Sequence, residues 1–136
     1  MSAPLLSNCA AALSNCRIPS SQWEKALEAI EYERQASDGK ILISAISAWE
    51  IARLVHKGRL SLSMNSDDWL ETVEEIEGVR YVAVDVATAV ESTRLPGKFH
   101  KDPADRMIVA LARHFNAVLV TADEKITTYR HVRTVW

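Results

Sequence analysis

Three short segments of the chain are apolar at nearly every position, and amphipathic segments separate them. They are residues 41–43, residues 81–84 and residues 117–121. A strand that is apolar on both faces is typical of a parallel sheet covered by helices on both sides. The alternation of strands with helical segments indicates the same architecture, because parallel neighbours need a crossover connection. The sequence therefore predicts an α/β fold with a central parallel sheet.

Helix start signals lie between these strands, since Ser or Pro precedes or opens most of the amphipathic segments. Gly58 and Gly78 favour the ends of two of them. We therefore predict helices that begin near Ser21, Ser47, Ser66, Val86 and Pro103. An apolar start at Leu5 and Leu6 and an edge strand at residues 132–136 complete the predicted elements.

The chain has 136 residues, of which 48% are hydrophobic. This length supports one compact core and is short for two, so we expect a single domain over residues 1–136. Cys9 and Cys16 are too few for a disulfide framework and lack the paired spacing of a zinc site. No apolar run reaches the roughly 18 residues of a membrane span, and the first residues lack a basic secretion signal. A soluble, cytoplasmic protein is expected.

The formal net charge of −2 argues against nucleic-acid binding by bulk attraction, so any RNA contact requires a local basic surface. One basic cluster lies between residues 94 and 106, with His100 beside it. Its members, which we predict as candidates for phosphate contact, are Arg94, Lys98, Lys101 and Arg106. An ordinary solvated loop is the alternative interpretation, because charge clusters usually need no partner.

The histidines and tryptophans carry weaker signals. The four histidines show neither His-x-His nor His-Glu-x-x-His spacing, so we predict that they are not catalytic. His100 stays open because it borders the basic cluster. Three of the four tryptophans, Trp49 among them, fall on apolar faces of predicted helices, which favours packing over base stacking.

Three acidic residues are predicted to meet at one edge of the sheet. Asp123 directly follows a strand, Asp105 lies in the first turn of a helix, and Glu50 lies just after the strand at residues 41–43. In parallel α/β sheets the ligand site lies off the carboxyl ends of the strands. Carboxylates that converge there repel one another unless a cation lies between them, and Mg²⁺ or Mn²⁺ prefers oxygen ligands. Such a site can polarise a phosphodiester and activate a water.

Each acid also has a purely structural interpretation. Ser47 and Glu50 fit a capping box, and the helix dipole favours Asp105 in a first turn. Asp123 could cap the short segment after it, and Asp102 before a proline is a good N-cap. Three acids at one sheet edge are harder to explain as three unrelated caps.

An ordered set of motifs lies at residues 43–51, 57–62, 95–97, 102–110 and 119–124. This set resembles the VapC-type PIN-domain toxins of bacterial toxin–antitoxin modules, and the resemblance runs from about residue 20 to the C-terminus. It implies an α/β/α sandwich, Mg²⁺-dependent (or Mn²⁺-dependent) RNA cleavage, dimerisation and inhibition by a small antitoxin. It also implies metal binding by Glu50, Asp105 and Asp123, with Asp102 nearby. Thr121 falls on a hydroxyl position that could hold a carboxylate or a water.

The N-terminus departs from the family pattern, in which the first strand ends in an acidic residue. Here Ser7 or Asn8 falls where that aspartate belongs, and no acidic residue precedes Glu24. A neutral oxygen can touch a cation but supplies no charge. We therefore predict a metal-dependent endoribonuclease whose activity is reduced by the missing acid. A catalytically silent relative that still binds an antitoxin is the alternative, and a small α/β protein whose acids are all caps is a third interpretation.

Overall fold

A computed structural model describes residues 4–6, 20–35 and 39–136 of the chain. Within these residues, five strands form one parallel sheet in the order β3-β2-β1-β4-β5. The strands are β1 (Pro4–Leu6), β2 (Ile41–Ser44), β3 (Val79–Val82), β4 (Val118–Val120) and β5 (Thr134–Val135). The apolar start of the chain is therefore the central strand of the sheet.

Six helices in the described part of the chain alternate with these strands and confirm the predicted α/β/α class. They are α1 (Ser20–Gln35), α2 (Ala45–His56), α3 (Ser66–Glu74), α4 (Val86–Ser92), α5 (Pro103–His114) and α6 (Glu124–Thr127). Pro103 is the first residue of α5, as the sequence predicts, because a proline at the first helical position loses no hydrogen bond. None of these helices is both long and apolar enough to cross a membrane.

The core is built around α5 and β4. Ile108 of α5, Leu119 of β4 and Ile126 of α6 have no exposed surface. These side chains, together with Leu42 of β2, belong to one continuous apolar cluster. The cluster anchors α5 against the sheet, and so it fixes the position of the polar first turn of that helix at the sheet edge.

Strand order creates a switch point beside the central strand. The chain runs from β1 outward through β2 to β3, and it later returns to place β4 on the other side of β1. In open parallel sheets the crevice for a ligand forms where the strand order reverses, off the carboxyl ends of the strands. Here that crevice lies beyond Leu6 of β1 and Val120 of β4, which pair with each other.

One strand begins earlier than its apolar pattern predicts. We predict a strand at residues 81–84, whereas β3 spans Val79–Val82. Pairing explains the shift, because Ile41 aligns with Val79 and Ser44 with Val82 along the whole of β2. Residues 83–84 instead lead to Asp85, whose carboxylate accepts a hydrogen bond from Thr88 N at 2.8 Å and caps α4.

Candidate active site

Glu50 lies on α2, beyond the first turn of that helix. The N-cap is Ser44, whose hydroxyl accepts a hydrogen bond from Ile46 N at 3.1 Å. The predicted helix start at Ser47 and the capping-box role of Glu50 are therefore wrong. Oε2 of Glu50 is buried and has no hydrogen-bond partner among the described residues. A buried acceptor without a partner costs free energy. No hydrogen bond within the described residues therefore explains why a carboxylate lies at this position.

Asp105 lies in the first turn of α5 and is only 7% exposed. The predicted cap at Asp102 is confirmed, since its Oδ1 accepts hydrogen bonds from Ala104 N at 3.0 Å and Asp105 N at 3.2 Å. The cap function is thus carried by Asp102. The Asp105 side chain instead meets His100, with 3.1 Å between Oδ2 and Nε2.

A hydrogen bond at Nδ1 of His100 leaves the other ring nitrogen, Nε2, close to Asp105. Nδ1 accepts a hydrogen bond from Asp102 N at 3.4 Å, so the neutral ring carries its proton on Nε2, the nitrogen near Asp105. The Nε2 contact is close but lacks the alignment of a regular hydrogen bond. The imidazole also packs on Phe99, with 4.4 Å between ring centroids. His100 therefore borders the acidic site, a position that sequence spacing left open.

Asp123 follows β4 and caps α6. Its Oδ1 accepts hydrogen bonds from Lys125 N at 2.8 Å and Ile126 N at 3.4 Å, so the predicted capping role is present. This capping uses only Oδ1 of the carboxylate. The fully buried hydroxyl of Thr121 accepts a hydrogen bond from Asp123 N at 3.2 Å. In this structure Thr121 therefore holds the backbone of Asp123, whereas the family resemblance implies contact with a carboxylate or a water.

An open cavity of about 680 Å³ brings the three acids together, and Asp102 also lines it. Burial and the neighbouring Asp105 raise the pKa of Glu50 to about 7. Burial, with Asp102 and Asp123 nearby, raises the pKa of Asp105 to about 6. Since the ionised forms of these groups repel one another, the cavity favours a positive charge among them.

The chemistry of this donor set fits a hard divalent cation. Mg²⁺ and Mn²⁺ prefer carboxylate oxygens, and Glu50 Oε2 is a buried acceptor that nothing described satisfies. Within the described residues, no three acidic, His or Cys side chains are already grouped as a metal-ligand set. A cation would therefore have to draw Glu50, Asp105 and Asp123 closer together. The residues predicted as the missing acidic position, Ser7 and Asn8, lie outside the described residues.

One member of the basic cluster of residues 94–106 is engaged by backbone carbonyls, and the other three are exposed. Arg106 donates hydrogen bonds to the carbonyls of Ser92, Phe99 and His100, at 2.8, 3.3 and 3.2 Å. Its guanidinium therefore ties the loop before α5 to α4, which differs from the predicted phosphate contact. Arg94 is exposed beside Glu91 at 3.8 Å, and Lys98 and Lys101 are exposed.

Trp49 is a further residue whose predicted placement is wrong. Its side chain is 54% exposed, although it was predicted to pack on an apolar helix face. It lines the acidic cavity beside Glu50, and the Arg53 guanidinium lies 5.0 Å from its ring centroid. Its position directly before Glu50 in the sequence is the signal that could have identified it. An exposed indole that lines this cavity can stack on a nucleobase.

The raised pKa of Glu50 leads to a testable pH dependence of metal-free stability. Between the ordinary pKa of 4.5 and the folded pKa of about 7, the folded state holds a proton that the unfolded chain has lost. Stability therefore falls as pH rises through this window. One pKa unit corresponds to about 1.4 kcal/mol, and solvent screening in an open cavity reduces the effect to roughly 1–2 kcal/mol.

We expect Glu50→Gln to gain stability relative to the parent protein as pH rises from 5 to 8 in the presence of a chelator. Urea unfolding at both pH values measures the difference directly. Glu24→Gln, on the exposed surface of α1, is the matched control and should leave the pH dependence unchanged. Parallel pH profiles for Glu50→Gln and the parent would contradict the raised pKa.

The parallel sheet with carboxylates at its switch point is the arrangement of a PIN domain. The PIN domain model matches residues 11–132. Ribonuclease VapC22 of Mycobacterium tuberculosis is 35% identical over 113 residues, which cover 82% of each chain. The chain belongs to the VapC-type PIN-domain family, as its motifs predict.

Solved structures support the same fold. VapBC2 from Rickettsia felis, crystallised with a DNA fragment from its promoter, has a TM-score of 0.62 at 16% identity, and the match covers 96% of both chains. VapC20 of Mycobacterium tuberculosis, a toxin that cleaves the sarcin-ricin loop, has a TM-score of 0.58 at 10% identity. That match covers 96% of this chain and 99% of VapC20. At these identities the similarity shows the fold alone.

Proposed function

We propose that this protein is a Mg²⁺-dependent endoribonuclease of a toxin–antitoxin module, with the metal held by Glu50, Asp105 and Asp123. The buried Oε2 of Glu50 carries this proposal, because it has no hydrogen-bond partner among the described residues, while burial and the nearby Asp105, Asp102 and Asp123 raise the pKa of Glu50. Family membership and the 35% identity to a ribonuclease support RNA as the substrate. Mn²⁺ offers the same preference for oxygen ligands and is an alternative ion.

The residues around the cavity have different roles in such a reaction. A bound divalent ion would polarise the phosphodiester and lower the pKa of a water. Asp102 caps the first turn of α5 and so positions Asp105. The Thr121 hydroxyl and the backbone N–H of Lys125 position Asp123. Trp49 lies where it can stack on a base beside the bond that is cut. The chain supplies three carboxylates, and the absence of an acid directly after β1 limits the activity.

We also propose a small antitoxin as partner and a homodimer as the assembly. The VapBC2 structure supports a partner of this kind. The acidic cavity suits a basic side chain, and its apolar neighbours Trp49 and Met107 suit the apolar part of a peptide. A silent relative that keeps only this binding function is the second candidate, and the residue after β1, which is Ser7, favours it. RNA cleavage in the presence of metal separates the two candidates.

A metal titration tests the proposed site directly. A ligand that binds only the folded state stabilises it by mass action, so millimolar Mn²⁺ is expected to raise the melting temperature. Chelator-sensitive cleavage of a mixed RNA pool should accompany this rise. Ca²⁺, a hard cation with oxygen ligands but less strict geometry, serves as the comparison ion. An unchanged melting temperature at millimolar Mn²⁺ would overturn the metal site.

A further inference from the structure

A second cavity adjoins the acidic site and has the opposite charge. It encloses about 510 Å³ and is lined by Lys98, Lys125 and Arg130, together with His100 and His131. Of the residues that the structure describes, none that lines it is acidic. Among the described residues, none forms an ion pair with Lys98, Lys125 or Arg130. Three exposed cations therefore surround a concave surface, and of the three Lys125 also lies near the carboxylate of Asp105.

The two cavities share a wall. Lys125 lines both of them, and it lies two positions after Asp123 in the chain. His100 lines the basic cavity while its Nε2 contacts Asp105 of the acidic one at 3.1 Å. A ligand that reaches the acidic site can therefore extend directly into the basic cavity.

Packed aromatic rings hold the basic cavity in shape. His100, Phe99, Tyr129 and His131 form a row, with neighbouring ring centroids 4.4, 4.6 and 5.2 Å apart. The Tyr129 hydroxyl donates a hydrogen bond to Pro96 O at 2.6 Å. Gly97, at a φ of +68°, approaches His131 so closely that a Cβ there would lie 3.1 Å from Nε2. This floor is preorganised, because its parts are fixed by packing and by a partly buried hydrogen bond.

From this geometry we infer that the basic cavity binds a backbone phosphate of the nucleic-acid strand, next to the phosphate that lies in the acidic site. The inference rests on the proposed function for its ligand and adds Lys125 and Arg130, which the sequence did not single out. Lys98, Lys125 and Arg130 supply the positive charge, and Thr128 adds a hydroxyl. Such contacts position a strand without reading its bases. They also explain how a protein of net charge −2 holds a polyanion.

Salt-dependent binding of a labelled single-stranded RNA tests this subsite. The double variant Lys125→Gln/Arg130→Gln is expected to bind at least about tenfold more weakly. A plot of log affinity against log salt should become less steep by about 1.4, since each of the two lost contacts to a single strand contributes about 0.7 to the steepness. The loss should be equal for RNAs of different sequence and for DNA strands, because they share the phosphate.

Lys40→Gln/Arg80→Gln is the charge-matched control, because both residues are exposed. Lys40 lies just before β2, at the amino end of the strand, whereas the acidic site lies off the carboxyl ends. This control should bind like the parent, and the Mn²⁺-induced rise in melting temperature should persist in both double variants. Equal weakening in the control and the test variant would overturn the subsite even if cleavage occurs. RNA binding with the expected loss but no cleavage by the parent would support the subsite and overturn the proposed nuclease activity.

Discussion

Asp105→Asn is expected to lower metal-dependent RNA cleavage by at least about 100-fold while making the metal-free protein more stable. Removing a partner that only supports a metal ligand typically costs 10–100-fold, so losing a ligand carboxylate should cost at least as much. Stability should change in the opposite direction. The pKa of Asp105 is raised to about 6 by burial and by its acidic neighbours, so its ionised form destabilises the folded state at neutral pH.

Three measurements on Asp105→Asn distinguish a metal ligand from a structural residue. They are single-turnover cleavage with and without chelator, the melting temperature at pH 8 in chelator, and the change of that temperature with Mn²⁺. Asp85→Ala is the contrasting control, because hydrogen bonds to Thr88 lower the pKa of that cap. The control should lose stability and keep the response to Mn²⁺. A less stable Asp105→Asn protein that still responds to Mn²⁺ would show that Asp105 has a structural role.

The fold was largely predictable because two of its strands, β2 and β4, are apolar at nearly every position. β2 and β4 are buried as their composition predicts, and the parallel pairing follows from their alternation with helices. The bounds of β3 were less predictable, because residues 79–84 contain several apolar positions and only pairing with β2 selects among them. Local pattern gives the type of an element, whereas its neighbours in the sheet fix its register.

The convergence of the three acids on one cavity was predictable from the sequence, whereas the surroundings of that cavity were less so. Ser44 and Ser47 are both of a residue type that favours N-caps, and the sequence does not reveal that the end of β2 selects Ser44. The role of Arg106 depends on three carbonyls that a loop brings together, which spacing cannot show. The basic cavity combines residues 97–100 with residues 125–131, so its charge becomes visible only when the chain folds.

Ser7→Asp is expected to raise Mg²⁺-dependent cleavage by at least about tenfold, the largest gain that one substitution should give. β1 is the central strand and pairs with β2 and β4, the two strands whose carboxyl ends lead to Glu50 and Asp123. Ser7 is the next residue in the sequence after Leu6. An acid at this position would add a fourth carboxylate to the three that we propose as ligands of the cation.

Stability measurements should report the same change independently of cleavage. A fourth carboxylate adds repulsion to a site in which the pKa of Glu50 is already about 7, so Ser7→Asp should melt at a lower temperature in chelator. It should also gain more from Mn²⁺ than the parent does. Ser7→Asn, similar in size to the aspartate and uncharged, is the matched control, and Asn8→Asp tests the neighbouring position.

The result for the unmodified protein decides how the gain is interpreted. Strong chelator-sensitive cleavage by the parent would show that the fourth acid is dispensable or supplied by Asp102, which already lines the cavity. No gain from Ser7→Asp or Asn8→Asp, with the fold intact and the Mn²⁺ response present, would show that the missing charge does not limit the reaction. A gain with aspartate but not with asparagine at residue 7 would mean that charge balance at the end of the central strand limits the activity of this protein.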